Sequence, residues 1–151
     1  MRIVVQRVRR AAVRADGAAL GDIGPGAVVL VGIAGDDSPD RVDRMADKLA
    51  GLRYFEDAAG RTNLAIDEVE DAGFLVVSQF TLYADVRRGR RPGFTAAADP
   101  AVAAPLVERF VERLRTGGHR VATGRFGAAM EVELVNDGPF TLVLDSDRDL
   151  G

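Results

Sequence analysis

The sequence predicts an α+β fold with a largely antiparallel sheet. Three observations carry this. Apolar runs of strand length outnumber helical segments, only two segments show helical spacing, and the two kinds do not alternate strictly. Taken in order, residues 1–8 read as a strand, followed by a turn near Asp16-Gly17. Ile23-Gly24-Pro25-Gly26 marks a second turn, and residues 27–33 are a continuous apolar strand. Gly35-Asp36-Asp37-Ser38-Pro39 is a loop in which Ser38 or Asp40 can cap a helix. Over residues 40–52, Val42, Met45, Ala46 and Leu49 fall at the i, i+3, i+4, i+7 spacing of an amphipathic helix. Arg53-Tyr54-Phe55 can form a short strand, Ala58-Ala59-Gly60 a turn, and residues 73–80 a β-branched strand.

A second helix is predicted over residues 101–115, with Ala103, Leu106, Val107, Phe110 and Leu114 on one face. Asp99-Pro100 supplies a cap and a first-position proline. Pro105 removes a helical hydrogen bond, so a late start or a kink is expected there. Residues 131–135 and 140–144 read as two strands joined by Asn136-Asp137-Gly138-Pro139, since Asp-Gly between apolar runs is a strong hairpin signal. The chain of 151 residues suits one domain spanning 1–151, with residues 145–151 expected as a flexible acidic tail.

Composition excludes several chemistries. There is no cysteine, which removes disulfides, thiolate nucleophiles and cysteine zinc sites. His119 is the only histidine, so a histidine-rich metal site within one chain is excluded. No metal and no cofactor are expected. No apolar run approaches the ~20 residues of a membrane-spanning helix, and the N-terminus does not read as a signal peptide. A cytoplasmic location is the expectation. The formal net charge is −3, but arginine is concentrated locally: Arg2, Arg7, Arg9, Arg10 and Arg14 in one cluster, Arg87, Arg88, Arg90 and Arg91 in another. Such patches can attract a polyanion, or simply form a solvated face.

Three segments carry chemistry. In Ser78-Gln79-Phe80-Thr81-Leu82-Tyr83-Ala84 an apolar strand ends in a polar cluster. Strand ends place side chains and free backbone groups at a rim. The plainer reading is that Ser78 and Thr81 close the strand by local hydrogen bonds. Asn136-Asp137-Gly138-Pro139 is a turn whose glycine leaves carbonyls uncovered, able to grip an ammonium group. Arg87-Arg88-Gly89-Arg90-Arg91-Pro92-Gly93-Phe94 pairs arginine with an aromatic ring, as RNA sites often do, or is an exposed loop. His119 follows Gly117-Gly118 in an exposed turn and receives no role, and there is no Gly-x-Ser-x-Gly elbow. A hydrolase built on this chain works without the usual serine machinery. Backbone N–H groups of Gln79, Phe80 and Thr81 are the candidates for an oxyanion hole.

Together these residues resemble the D-aminoacyl-tRNA deacylase family. The resemblance rests on Ser78-Gln79-Phe80-Thr81-Leu82 and Asn136-Asp137-Gly138-Pro139-x-Thr141. Gln6-Arg7-Val8, Arg91-Pro92-x-Phe94 and Thr123-Gly124-Arg125-Phe126 followed by Met130 support it, so it spans nearly the whole chain. Gly93 departs from the serine more usual in the family.

The resemblance implies a compact β-barrel-like sheet flanked by two main helices, and a homodimer with active sites at the interface. It implies hydrolysis of the ester of D-aminoacyl-tRNA, with glycine mischarged on alanine tRNA as a further substrate. Gly138-Pro139 would be cis and project into the partner subunit's site. There its carbonyls would hold the α-amino group, and an L-side chain would collide, which is selection by exclusion. Arg7 would orient that dipeptide, and Ser78, Phe94 and Met130 would join it in substrate binding. Thr81 matches a side chain discussed as a nucleophile. Lacking a base nearby in sequence, it is a poor one, and backbone donors aided by the tRNA's terminal 2′-hydroxyl are the favoured mechanism. Arg87, Arg88, Arg90 and Arg91 would hold tRNA. The rivals are a non-catalytic tRNA-binding module and a hydrolase of small esters that ignores RNA.

Overall fold

The computed structural model describes residues 1–151. Strand β1 (Arg2–Ala15) runs well beyond the first apolar run and reverses through Asp16 and Gly17, both at positive φ, into β2 (Ala18–Ile23). Then come β3 (Gly26–Gly32), α1 (Pro39–Gly51), the small hairpin β4 (Phe55–Glu56) and β5 (Thr62–Leu64), and β6 (Gly73–Ser78). The chain ends with α2 (Pro100–Thr116), β7 (Arg120–Thr123), β8 (Glu131–Asp145) and α3 (Ser146–Asp149).

β1 organises the main sheet. Its first half pairs antiparallel with β3 and its second half with β2, while β8 runs antiparallel beside nearly all of it. β3, β6 and β7 pair in parallel. The sheet is therefore mixed, antiparallel around β1 and parallel toward β7. β2 also meets β7, so the sheet nearly closes as a barrel.

The sheet separates two cores. Ala27, Val29, Val31, Phe74 and Val76 face the helices, while Val28, Leu75 and Val77 face the barrel interior. Strands buried on both faces read as continuous apolar runs, which is why β3 and β6 were legible. β1 serves both cores, Ile3 and Val5 on the helix side and Val8, Ala11 and Val13 inside the barrel. The register with β8 shifts between Gln6 and Arg10, and such irregularities increase the twist that carries a strand from one layer to another.

Ser38 caps α1, its side chain accepting from the Arg41 N–H. Val42, Met45, Ala46 and Leu49 are fully buried, and a buried Leu or Met contributes roughly 1.5–3 kcal/mol. α2 begins at Pro100 and continues through Pro105, so the late start does not occur. Pro105 forfeits the one bond its N–H would make to the Ala101 carbonyl, and burial of Ala103, Leu106 and Phe110 offsets it. Arg109 and Arg113 bind Asp43 and Asp47 in turn. The two helices therefore lie side by side and run in the same direction.

Two expectations are corrected. Asn136-Asp137-Gly138-Pro139 is not a hairpin: Val135 faces Arg10 and Thr141 faces Gln6, both on β1, so β8 is one strand with an outward bump. The Asn136 amide holds the bump, donating to the carbonyls of Arg7 and Phe140 at 2.8 and 3.0 Å and accepting from the Phe140 N–H at 3.2 Å. A side chain there replaces ladder bonds that a turn would have ended. The acidic tail is not loose either. Ser146 is buried, its N–H donating to the Met1 carbonyl and its hydroxyl accepting from the Met1 ammonium. That ammonium also pairs with Asp37, whose side chain is fully buried. No helix is long and apolar enough to cross a membrane.

Candidate active site

β6 delivers the chain to the site. After Ser78 the Gln79 N–H donates to the Val31 carbonyl at 2.7 Å, and Phe80–Tyr83 form one turn of 3-10 helix. The turn is closed by the Leu82 N–H on the Gln79 carbonyl and the Ala84 N–H on the Thr81 carbonyl. The first N–H groups of a helix have no acceptor within it. Those of Phe80 and Thr81 find none elsewhere in the chain. Two backbone donors thus stand unpaired at the end of a strand.

Thr81 is exposed, and the Gln79 side-chain amide donates to its hydroxyl oxygen. No carboxylate or imidazole hydrogen-bonds to it. His119 lies elsewhere, half-buried with its ring edge-on to Phe74 on the helix side of the sheet, rather than in an exposed turn. No group of three or more acidic or histidine side chains converges to hold a metal ion.

Beside the turn lies a pocket of about 570 Å³. It brings together Ser78, Gln79, Phe80, Phe94 and Met130, and leaves out Thr81, Arg7, Gly138 and Pro139. Phe80 and Phe94 stack edge to face with centres 5.0 Å apart, and both rings remain partly exposed. The Met130 sulfur accepts from the Arg125 N–H at 3.3 Å, which ties Met130 to the segment that contributes Phe126 to the wall. Sequence reasoning missed much of the remaining lining, including Val31, Ile33, Ala97, Ala98 and Val107. These are ordinary apolar residues that become a wall only once α2 packs against β3 and β6. Asp99, the cap of α2, is the one ionisable side chain on the lining, and it makes no capping bond.

Arg7, Gly138 and Pro139 form a second, separate cluster. Arg7 is 3% exposed, on the same face of β1 as the buried Ile3 and Val5. Its Nε donates to the Asp137 carbonyl at 3.0 Å, Nη1 to the Tyr54 carbonyl at 2.8 Å and Nη2 to Glu56 at 3.3 Å. Its guanidinium also lies 4.8 Å from the centre of the Phe140 ring. Gly138 and Pro139 sit exposed above this brace, joined by a cis peptide bond. At Gly138 φ is +135°, and a Cβ would lie 3.1 Å from Arg7 Nη2, so glycine is needed on both counts.

The two basic clusters fare differently. The N-terminal one disperses: Arg7 is buried, Arg2 binds Asp145 and Arg9 binds Asp137. In the other, Arg87 pairs with Asp85, which holds that carboxyl below its usual range. Arg88, Arg90 and Arg91 are exposed without an acidic partner, three to six residues from Phe94 on the pocket wall.

Fold and site define a class: small mixed barrels in which a strand-end turn offers backbone donors beside an apolar pocket. The comparisons with known proteins narrow it. The family model described as D-Tyr-tRNA(Tyr) deacylase matches residues 4–145. The D-aminoacyl-tRNA deacylase of Symbiobacterium thermophilum is 57% identical over 148 residues, covering 98% of this chain and 97% of the relative. That of Anaeromyxobacter dehalogenans is 58% identical over 148 residues, 98% and 99% of the two chains. The solved structure of the c-Myc DNA Unwinding Element Binding Protein superposes with a TM-score of 0.88 at 38% identity, covering 96% of this chain and 98% of that one. A probable eukaryotic D-amino acid tRNA deacylase, 18% identical with a TM-score of 0.83, shares the fold. The chain belongs to the D-Tyr-tRNA(Tyr) deacylase family.

Proposed function

We propose that this protein is a D-aminoacyl-tRNA deacylase, a hydrolase that cleaves the ester between a D-amino acid and the terminal ribose of tRNA. The observation that carries this reading is the pair of unpartnered N–H groups at Phe80 and Thr81 beside an apolar pocket. Ester hydrolysis passes through a tetrahedral oxyanion, and preorganised backbone donors stabilise that charge without reorganising. Thr81 has a donor, Gln79, on its hydroxyl and no base, so water is the better nucleophile, with the substrate's own 2′-hydroxyl as its activator. The pocket suits the terminal base, with Phe80 and Phe94 offering rings to stack on. Arg88, Arg90 and Arg91 suit the phosphates that follow.

The protein works as a homodimer in this reading, because Gly138 and Pro139 are exposed and line no part of their own chain's pocket. The partner subunit's Gly138–Pro139 enters the pocket, its carbonyls hold the α-amino group, and an L-side chain meets them sterically. Glycine, with nothing to exclude, is accepted, so glycyl-tRNA mischarged on alanine tRNA is a substrate too. The substrate is met in the cytoplasm.

The deciding experiment is deacylation of D-Tyr-tRNA and L-Tyr-tRNA side by side, with the oligomeric state measured by light scattering. Loss of the D form alone supports the reading. Binding of tRNA without turnover of either would leave a tRNA-binding module.

A further inference from the structure

We infer that Arg2, acting with Gly32 and Asp145, is the positioning residue of the strand-end turn and sets where the Phe80 and Thr81 N–H groups stand. The inference rests on the deacylase reading. Asp145, Arg2 and Gly32 form one row across β8, β1 and β3, since Arg2 is the register partner of both others. The guanidinium divides its fork between two tasks. Nε and Nη2 donate to Asp145 Oδ2 at 2.9 and 2.8 Å, and Nη1 donates to the Leu82 carbonyl at 2.7 Å. Its Cζ also lies 5.0 Å from the centre of the Tyr83 ring. Gly32 leaves the adjoining space open for the turn. A Cβ there would stand 3.0 Å from Leu82 Cβ and 3.1 Å from the Gln79 carbonyl oxygen.

The turn leans on these ties because packing holds it only in part: Phe80 and Thr81 are exposed, and Leu82 and Tyr83 are half-buried. Its start is tied to β3 through the Gln79 N–H and its end to β1 through Arg2. Phe80 and Thr81 lie between the two ties. Oxyanion donors act over a narrow range of distance, and a misplacement of about 1 Å can cost about a hundredfold in rate. Arg2 acts through the Leu82 carbonyl and does not line the pocket, so its loss should appear chiefly in kcat, with a smaller change in KM where the Phe80 ring follows the turn.

The test is steady-state deacylation of D-Tyr-tRNA and L-Tyr-tRNA by Arg2→Met, Arg2→Lys and Gly32→Ala, with folding followed by circular dichroism. Arg2→Met lowers kcat by about tenfold to a hundredfold while KM changes by much less. Arg2→Lys keeps the charge but cannot span Asp145 and Leu82 with one planar fork, and falls between. Gly32→Ala repeats the kcat loss by pushing the turn outward. All three keep the preference for D over L, because Gly138–Pro139 is braced elsewhere. Wild-type kcat in both Arg2→Met and Gly32→Ala overturns the inference, as does a rise in KM alone or a loss of D preference. Should Arg2→Met fail to fold, the other two variants decide by the same readings. Wild-type protein that turns over no D-Tyr-tRNA would bring down the deacylase reading, and the clamp with it.

Discussion

The strand-end turn and the Gly138–Pro139 bump are held in opposite ways. The turn has no buried side chain and is seated by polar ties to its two neighbouring strands. The bump stands on a buried arginine that makes three hydrogen bonds beneath it, and the Asn136 amide laces its two ends together. In the proposed function the bump selects by exclusion, which requires it to resist being pushed aside, and a buried brace provides that resistance. A feature that offers donors to a developing charge needs exposed N–H groups, which a buried segment cannot leave unpaired. The same sheet supports both, and within one chain they remain apart.

The largest expected effect comes from removing the brace. Arg7→Met strips the donors from the Tyr54 and Asp137 carbonyls, and each stranded acceptor costs roughly 1–3 kcal/mol. Urea unfolding should show the loss, and discrimination against L-Tyr-tRNA should fall with it. A variant of wild-type stability and selectivity would break the contrast between the two regions.

Gly138→Ala comes next. Its positive φ and the nearby Arg7 Nη2 oppose a side chain, at a cost of about 1–3 kcal/mol. Discrimination should drop by about tenfold, which corresponds to about 1.4 kcal/mol, while hydrolysis of D-Tyr-tRNA continues. If D-hydrolysis is lost and L-rejection survives, the bump and the turn are one functional unit.

A smaller effect lies outside both regions and serves as their control. Hydrogen bonds from Arg109 and Arg113 hold the carboxyls of Asp43 and Asp47 below their usual range. Groups with depressed values stabilise the fold above the unfolded-state value, about 4, and that stability fades as pH falls through the folded-state values. Thermal melts between pH 5 and pH 2 should therefore decline less steeply in Asp43→Asn/Asp47→Asn, with the D-over-L ratio untouched at neutral pH. An unchanged slope would show that the clasp between α1 and α2 contributes nothing to stability.

The smallest effect is expected at Thr81. Thr81→Ala removes only the hydroxyl that accepts from Gln79 and leaves the N–H groups in place, so most activity should remain. Complete loss of turnover with folding and tRNA binding retained would make Thr81 the nucleophile and the turn a side-chain site.

Local pattern made much of the fold legible. The period of α1, its Ser38 cap and the two-sided burial of β3 and β6 are properties of short windows of sequence. β2 and β7 were harder to read, because Ala18–Ile23 and Arg120–Thr123 are short, half-exposed and mixed in polarity. Asp137-Gly138 misled because a hairpin signal is local. Whether two strands pair with each other or both with β1 is settled by partners some 130 residues away. The site divides along the same line. Ser78, Gln79, Phe80, Phe94 and Met130 do share one pocket, but its other wall is made of alanines and valines that carry no chemical mark.

The sequence by itself determined the kinds of chemistry open to this chain. One histidine and no cysteine excluded thiolate and histidine-rich chemistries, and the residue order around Gln79 and Gly138 pointed to the family. Tertiary structure decided which groups meet. Arg7 belonged to a basic cluster in sequence and became a buried brace in space. Arg2 belonged to the same cluster and became the tie on the turn. Residue type sets what a group can do, but its burial and partners depend on strands far apart in the chain, and only the folded sheet brings those together.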